Sequence, residues 1–414
     1  MSTLKKATII VLILLFSFTS VAFGQKVVLE WYDDAAWHEA GHDAVSKLAE
    51  SKIEIGIKSV MFSDTSTYQT QMRMALASSN APALFDWWFA YRMKDLVDAK
   101  LVADVTPIWK KHIASGEYPA SLMNSFGFKG RAYAIPKMID YWVMFYNTKV
   151  FTNLGLTIPK TWDNLMSICQ KVKGAGITPI NASAIGWPSF IWFEELLVRT
   201  DPDLYVKLME GKVAYNDPKV IEVVKTWKDM IDKGYFSDPG ISGEMLDKAF
   251  AQGKAAMTLM GSWYASVLKR EGLAIKDFGI FVVPGLTSKG KSSIIIEARP
   301  ILIGAKSKQR VQAEKFADFF MGVEAQTAFA KALEINSPNL LVSNDTRPEY
   351  LRTLAEDMTK GNYKTYTRFW EATPPEIVEQ VVELLGKFMV QPSQYKEILD
   401  EAAQVANKYW EKNR

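Results

Sequence analysis

The sequence predicts an α/β fold with two lobes, each built on a doubly wound sheet that is flanked by helices. Apolar runs of strand length alternate with segments of helical periodicity from residue 26 onward, which is typical of parallel strands joined by crossover helices. The same alternation restarts near Pro136. About 390 residues follow the N-terminal segment, enough for two domains with sizeable cores.

The first lobe contains three units of strand and helix. The strands are predicted at residues 26–31, 53–60 and 83–85, and the helices at 37–48, 68–77 and 93–101. This order predicts a parallel sheet, because each crossover helix returns the chain to the end where the previous strand began.

The second lobe continues the pattern after Pro136. Its strands are predicted at residues 142–146, 255–260, 281–283 and 293–296, and its helices at 163–173, around Phe250 and through 375–410. A further helix is predicted from Gln309 onward. The loop 285–291 separates the last two strands.

The strand at 255–260 ends at Gly261 and leaves Trp263 and Tyr264 beyond its carboxyl end. Ligands of open α/β sheets bind in the crevice at this end of the strands. Both aromatic residues are therefore candidates for ligand binding, with packing in the core as the alternative.

The first 24 residues have the pattern of a secretion signal. Lys5 and Lys6 precede an apolar run from residue 7 to 16, and Ala22 and Gly24 supply a small-x-small cleavage site. No cysteine stands at that site, so we expect a periplasmic protein without a lipid anchor. The only cysteine, Cys169, lies on an amphipathic segment and is expected to be buried.

Composition narrows the class of ligand. Without the signal the net charge is close to zero, which favours neither nucleic acid nor a membrane surface as a partner. The chain has 13 Trp, 16 Tyr and 22 Phe, and many of the Trp stand beside polar residues in loop-like positions. Such side chains stack on sugar rings, although core packing uses the same residues.

One short motif raises a catalytic alternative. His38-Glu39-Ala40-Gly41-His42 fits the H-E-x-x-H pattern of zinc peptidases. The only other histidine is His112, which leaves a downstream glutamate as a possible third ligand, and Gly41 weakens the helix that must hold the histidine pair. We expect a polar helix face and no metal, and we keep a secreted zinc peptidase as the alternative.

Two further sequence patterns are relevant to an enzymatic function. The loop from Gly285 to Ser292 matches a phosphate-binding G-x-x-x-x-G-K-[ST] sequence, but a β-branched strand follows it where phosphate binding needs a helix. The carboxylates of Glu194 and Glu297 leave a glycosidase as a second hydrolase alternative.

Several segments together resemble the extracellular solute-binding proteins of carbohydrate ABC importers, the family that includes maltose-binding protein. The resemblance covers essentially the whole mature chain. It rests on the segments 81–88, 97–101, 135–136, 146–151, 155–163, 175–179 and 250–263, which occur in the family's order and spacing. Ala83 departs from the aspartate that is usual in the first segment.

The resemblance implies a binding protein rather than an enzyme, with no cofactor. It implies a monomer of two hinged lobes, 25–136 plus 297–335 and 137–296 plus 336–414, with crossings near Pro136, near 293–299 and at 335–339. A carbohydrate, expected to be a di- or oligosaccharide, would bind between the lobes and pass to a membrane-embedded ABC permease.

The resemblance also implies positions for the binding residues. Trp87 and Trp263 match aromatic residues that stack on sugar in the family, Trp88 and Arg92 fall at the same cleft edge, and Trp370 lies near a third stacking position. Asp140 and Tyr141 follow the hinge, while Glu297 and Arg299 replace small family residues and so change the ligand. The other candidates follow the first strand: Asp33, Asp34, Trp37 and His38. For Trp31, Tyr32, Trp187 and Trp192, packing and binding stay open.

Overall fold

A nine-stranded mixed sheet forms the centre of the computed structural model, which describes residues 27–241 and 243–413. The secretion signal predicted at residues 1–24 lies outside the described residues. The described strands are β1 (Val27–Asp33), β2 (Ile55–Met61), β3 (Leu84–Asp86), β4 (Gly127–Phe128), β5 (Arg131–Ala132), β6 (Ala134–Asn147), β7 (Thr178–Asn181), β8 (Ala255–Gly261), β9 (Phe278–Phe281), β10 (Ser293–Ile303) and β11 (Lys364–Thr367).

Helices cover both faces of this sheet. None of those within residues 27–241 and 243–413 is long and apolar enough to cross a membrane. They are α1 (Glu39–Ile53), α2 (Thr65–Ala77), α3 (Tyr91–Asp98), α4 (Thr106–Ala114), α5 (Ala120–Ser125), α6 (Thr148–Asn153), α7 (Trp162–Gly174), α8 (Ile191–Thr200), α9 (Pro202–Met209), α10 (Pro218–Asp232), α11 (Glu244–Ala251), α12 (Tyr264–Arg270), α13 (Arg310–Met321), α14 (Val323–Leu333), α15 (Glu349–Lys360), α16 (Phe369–Ala372), α17 (Pro375–Val390) and α18 (Tyr395–Asn413).

The first half of the sheet has the predicted parallel arrangement. Strand β1 lies between β2 and β3 and runs parallel to both. Helix α2 starts where the Asp64 side chain accepts a hydrogen bond of 2.7 Å from the Thr67 amide, which satisfies a free donor of the first turn. Because β1 and β3 run parallel, their carboxyl ends meet at one edge of the sheet.

Two long strands carry the chain between the halves of the sheet. Strand β6 pairs antiparallel with β10 along residues 134–141 and with β8 along residues 142–146. The run predicted at 142–146 is the second part of β6, and the run predicted at 293–296 is only the start of β10. Both strands are longer than predicted because they continue through the core of the first lobe. The apolar pattern of the sequence does not show where such a buried strand ends.

The apolar side chains separate into cores that these strands join. One core includes Leu29, Ile139 and Ile296, and a second includes Trp142, Met257 and Ile295. A smaller third core packs Phe145 and Phe250 against helix α15. The change of core therefore falls between residues 139 and 142 of β6 and between residues 295 and 296 of β10.

Candidate ligand-binding cleft

A cavity of about 280 Å³ lies where residues of both halves of the sheet meet. Its floor consists of the two crossing strands, on which Glu297 of β10 stands opposite Asp140 of β6. Its remaining wall combines aromatic rings with charged and polar side chains. The lining residues are Trp37, Thr65, Gln69, Trp88, Arg92, Met138, Asp140, Trp187, Phe190, Trp263, Glu297, Arg299, Arg368 and Trp370.

Trp263, one of the predicted ligand-binding residues, lines the cavity. Its indole folds back over Gly261, where a Cβ atom would lie 2.4 Å from the indole Nε1. Only glycine allows this close approach, so the Gly-Ser-Trp sequence after β8 fixes the position of the ring. Trp187 stands next to it with ring centroids 6.3 Å apart, and the Trp263 Nε1 has no protein partner.

Tyr264, in contrast, points away from the cavity. The side chain is 2% exposed, and its hydroxyl donates a hydrogen bond of 2.6 Å to Asp247. It packs edge-on against Phe145 in the third core. Tyr264 is the first residue of α12, and its side chain points in a different direction from that of its neighbour Trp263.

The two tryptophans after β3 differ in the same way. Trp87 is 1% exposed, and its Nε1 donates a hydrogen bond of 2.8 Å to the Arg92 carbonyl oxygen inside the first core. Trp88 faces the cavity instead, with the Arg299 guanidinium 5.3 Å from its ring centre. The ring expected from Trp87 is therefore supplied by the next residue, because successive side chains of an extended segment point to opposite sides.

Charged residues from three elements reach the cavity beside the rings. Arg92 of α3 lies 4.6 Å from the ring centre of Trp370 and bonds Glu379 of α17 at 3.1 Å. Arg368, which precedes α16, bonds Glu297 at 2.6 Å. Arg92 thus joins α3 to Trp370 and α17, and Arg368 is joined to Glu297 of β10 across the cavity lining.

Asp140 is the most deeply buried acid of the lining. Its Oδ1 accepts a hydrogen bond of 2.7 Å from Ser262, while its Oδ2 has no protein partner. Burial, and next the neighbouring charge of Glu297, raise the pKa of Asp140 to about 7. Tyr141 does not line the cavity, because it alternates with Asp140 along β6 and packs between the first and third cores.

The remaining candidates after β1 form a charged cluster beneath Arg299. Asp34 bonds Arg299 and accepts a hydrogen bond of 2.6 Å from Thr65. Asp33 and His38 are fully buried, and the His38 Nδ1 lies 2.5 Å from the Asp33 Oδ2. Of the residues predicted after the first strand, only Trp37 lines the cavity.

Lys137, which the sequence analysis missed, completes this cluster. Its ammonium lies 3.0 Å from the Asp33 Oδ2 and bonds the Asp86 carboxyl. All three side chains are fully buried. Burial and the charge of Asp33 raise the pKa of Asp86 to about 8. A lone lysine inside the apolar sequence of β6 was the available signal, because a buried ammonium requires carboxylate partners.

This cluster bears on the zinc alternative. Asp33, His42 and Asp86 offer ligand atoms within 4.8 Å of one another, but the Lys137 ammonium already supplies a cation to both carboxylates. Burial lowers the pKa of His38 to about 3, so this imidazole is neutral and adds no positive charge beside the Lys137 ammonium. The donor set therefore fits an internal ammonium better than an added zinc ion.

We expect zinc and chelators to leave the protein unchanged. Adding one equivalent of Zn²⁺, or dialysing against EDTA, should move Tm by less than about 1 °C, because a ligand that does not bind the native state cannot stabilise it. Metal analysis of the purified protein gives an independent readout. Stoichiometric zinc, lost together with proteolytic activity, would contradict this expectation.

The hydrolase alternatives also depend on Glu194 and Glu297. Glu194 is fully buried outside the cavity, and its Oε2 accepts a hydrogen bond of 2.6 Å from the Phe369 amide. Glu297 lines the cavity but is bonded to Arg368.

The loop 285–292 packs on the end of α8, where the Leu286 amide donates to the Arg199 carbonyl oxygen, and strand β10 follows it as predicted.

Comparisons with known proteins agree with this architecture. A family model described as bacterial extracellular solute-binding protein matches residues 32–327. An uncharacterized ABC transporter extracellular-binding protein of Pyrococcus horikoshii is 27% identical over 317 residues, which are 73% of this chain and 69% of that protein. A diacetylchitobiose-binding protein of Streptomyces coelicolor is 25% identical over 64% of this chain and 62% of its own length.

A solved structure extends the likeness to the whole fold. The bacterial solute receptor AcbH, described as having an exclusive preference for b-D-galactopyranose, superposes with a TM-score of 0.82. It is 21% identical, and the match covers 93% of this chain and 100% of that one. A chitin oligosaccharide binding protein superposes with a TM-score of 0.75 at 21% identity, over 92% of this chain and 98% of that one.

Proposed function

The chain belongs to the family of bacterial extracellular solute-binding proteins, and from this premise we propose that it binds a sugar in the cleft and delivers it to the permease of an ABC importer. The similar proteins that carry a named ligand bind carbohydrates: diacetylchitobiose, chitin oligosaccharide and b-D-galactopyranose. Members of this family are binding proteins, and we propose the periplasm as the place where this one acts.

The observation that carries the proposal is the pairing of aromatic faces with free polar atoms. Within the described residues, Asp140 Oδ2, Trp263 Nε1 and Arg299 Nε are buried atoms without a hydrogen-bond partner, and their side chains all line the cavity. A buried polar atom without a partner costs roughly 1–3 kcal/mol. Sugar hydroxyls can satisfy these atoms while the C–H faces of the ring pack on tryptophan.

We propose a di- or oligosaccharide as the ligand. One ring presents two faces, whereas the lining offers more aromatic faces than two. The rings come from both halves of the sheet: Trp37, Trp88, Trp187, Phe190, Trp263 and Trp370. Each further sugar ring can then stack on an aromatic side chain of its own.

Hinge closure is the mechanism that we propose. The two lobes would be 25–136 plus 297–335 and 137–296 plus 336–414. The change of core, between residues 139 and 142 of β6 and between residues 295 and 296 of β10, lies within a few residues of these boundaries and supports a division along these two strands. Bending of two strands then moves one lobe against the other. A ligand that contacts both lobes stabilises the closed form over the open form, because only the closed form makes both sets of contacts.

Incubation with a panel of neutral mono- and oligosaccharides tests this function. A sugar present at 100 times its Kd should stabilise the protein by about 2.7 kcal/mol, measured as a rise in Tm. Chromatography should recover the sugar unchanged. Release of shorter sugars would support a glycosidase instead, and a Tm that no carbohydrate moves would contradict sugar binding.

A further inference from the structure

Three arginine side chains line the cleft, and positive charge in a binding site favours an anionic ligand. Each of them already has a carboxylate partner. Arg92 bonds Glu379 at 3.1 Å, and its guanidinium also rests on the ring of Trp370. An anion at this position would have to displace both the carboxylate and the aromatic contact.

Arg299 is held from below by the buried cluster. It bonds the Asp34 carboxylate, and its guanidinium nitrogens lie 3.8 Å from Asp33 and 3.9 Å from Asp86. Lys137 faces the last two carboxyl groups from the other side. The positive charge of Arg299 is therefore balanced within the protein, and its free Nε offers a hydrogen-bond donor rather than an unpaired charge.

Arg368 faces two carboxylates. It bonds Glu297 at 2.6 Å and Glu371 through two nitrogens, one of them at 2.8 Å. Its guanidinium lies 5.3 Å from the ring centre of Trp142. The positive charge of Arg368 is therefore also balanced within the protein.

Asp140 is the exception among the charged lining residues. It makes no ion pair within the described part of the chain, it is 2% exposed, and its Oδ2 has no hydrogen-bond partner. The groups around it are Glu297 on β10, Arg368 before α16, Ser262 and the Trp263 amide after β8, its neighbour Tyr141 on β6, and Tyr350 on α15. The cleft therefore presents one uncompensated acid and no uncompensated base.

We propose that the cleft selects a neutral sugar and rejects the corresponding uronic acid, and that Asp140 determines this specificity by accepting a sugar hydroxyl at Oδ2. This inference rests on the proposed function and names the ligand class of the same site. A further carboxylate near Asp140 and Glu297 would meet like charges on buried groups, where repulsion is stronger than in bulk water. A hydroxyl, in contrast, supplies the donor that Oδ2 lacks.

The test uses three forms of the best neutral sugar from the panel: the sugar itself, its uronic acid and the neutral methyl ester of that acid. Isothermal titration with the full-length protein should give an affinity for the uronic acid about 100-fold or more below that for the neutral sugar, with the ester between them, because the ester keeps the shape and removes the charge. A uronic acid that binds as tightly as the ester overturns the proposal.

Asp140→Asn separates charge from shape on the protein side. Loss of a hydrogen bond to a charged group should weaken the neutral sugar roughly 10- to 100-fold and reduce the discrimination against the acid. Glu401→Gln, an exposed carboxylate of α18, serves as the matched control and should change neither affinity. Unchanged discrimination in Asp140→Asn would assign the specificity elsewhere.

The pH dependence gives an independent readout. If Oδ2 accepts a hydroxyl, binding requires the ionised form, so the affinity of the unmodified protein should fall up to about tenfold for each pH unit below 7. The affinity of Asp140→Asn should stay level over the same range. Rising affinity on acidification would show Asp140 as a donor and overturn this role, whereas failure of every carbohydrate to bind would overturn the proposed function itself.

Discussion

Replacing Lys137 with methionine is expected to lower the free energy of unfolding by about 3–5 kcal/mol. The substitution keeps most of the side-chain volume but removes the ammonium that bonds Asp33 and Asp86. Both carboxyl groups are fully buried, so water cannot replace the lost partner. Urea unfolding followed by circular dichroism measures the change.

Lys58→Met is the matched control for this substitution. Lys58 of β2 pairs with Glu30 of β1 at 2.8 Å on the protein surface, with the lysine side chain 65% exposed. Such exposed pairs contribute about 0–1 kcal/mol, so the control should be nearly neutral. Adding Asp86→Asn to Lys137→Met should recover part of the loss by removing one unpaired acid. Equal stability of Lys137→Met and Lys58→Met would contradict the importance of the buried cluster.

The secondary structure of the first lobe could be predicted well because its signals are local. The alternating pattern after residue 26 and the helical spacing from Trp37 correspond to β1 and α1. The extent of β10 could not be predicted in this way. Its residues 297–303 include two charges and a proline, and they form a strand because they pair with β3 and β6.

The side to which a side chain points was harder to predict than its position along the chain. The sequence located the aromatic pair after β3 and the pair after β8, and in each pair one ring lines the cavity and the other lies in a core. One residue of displacement reverses the direction of a side chain in an extended segment. Sequence patterns place such a segment to within one or two residues, which is not enough to choose between Trp87 and Trp88.

Residues that reach the site through long-range contacts were missed. Arg368 lies next to the predicted Trp370, but its role follows from Glu297, which is 71 positions earlier in the chain. For Trp187 the sequence left both core packing and ligand binding open, and in the structure its ring lines the cavity beside Trp263. Both contacts depend on how the two halves of the sheet meet.

Replacing Trp263 with alanine is expected to weaken sugar binding by about 100-fold or more, equivalent to about 2.7 kcal/mol. The indole supplies a face of the cavity and a free Nε1 donor, so the substitution removes both a stacking surface and a hydrogen bond. The ring is only half-buried in the protein, so stability should change little. Titration with the best sugar of the panel measures the affinity.

Trp87→Ala provides the informative comparison for Trp263→Ala. Because Trp87 is 1% exposed and bonds the Arg92 carbonyl inside the first core, its removal should cost about 3–5 kcal/mol of stability. Any loss of affinity should then follow the fraction of unfolded protein. Trp162→Ala, a partly buried tryptophan at the start of α7, controls for the loss of a ring outside the cleft. Normal affinity in Trp263→Ala, together with weak binding by folded Trp87→Ala, would assign sugar binding to Trp87 and not to Trp263.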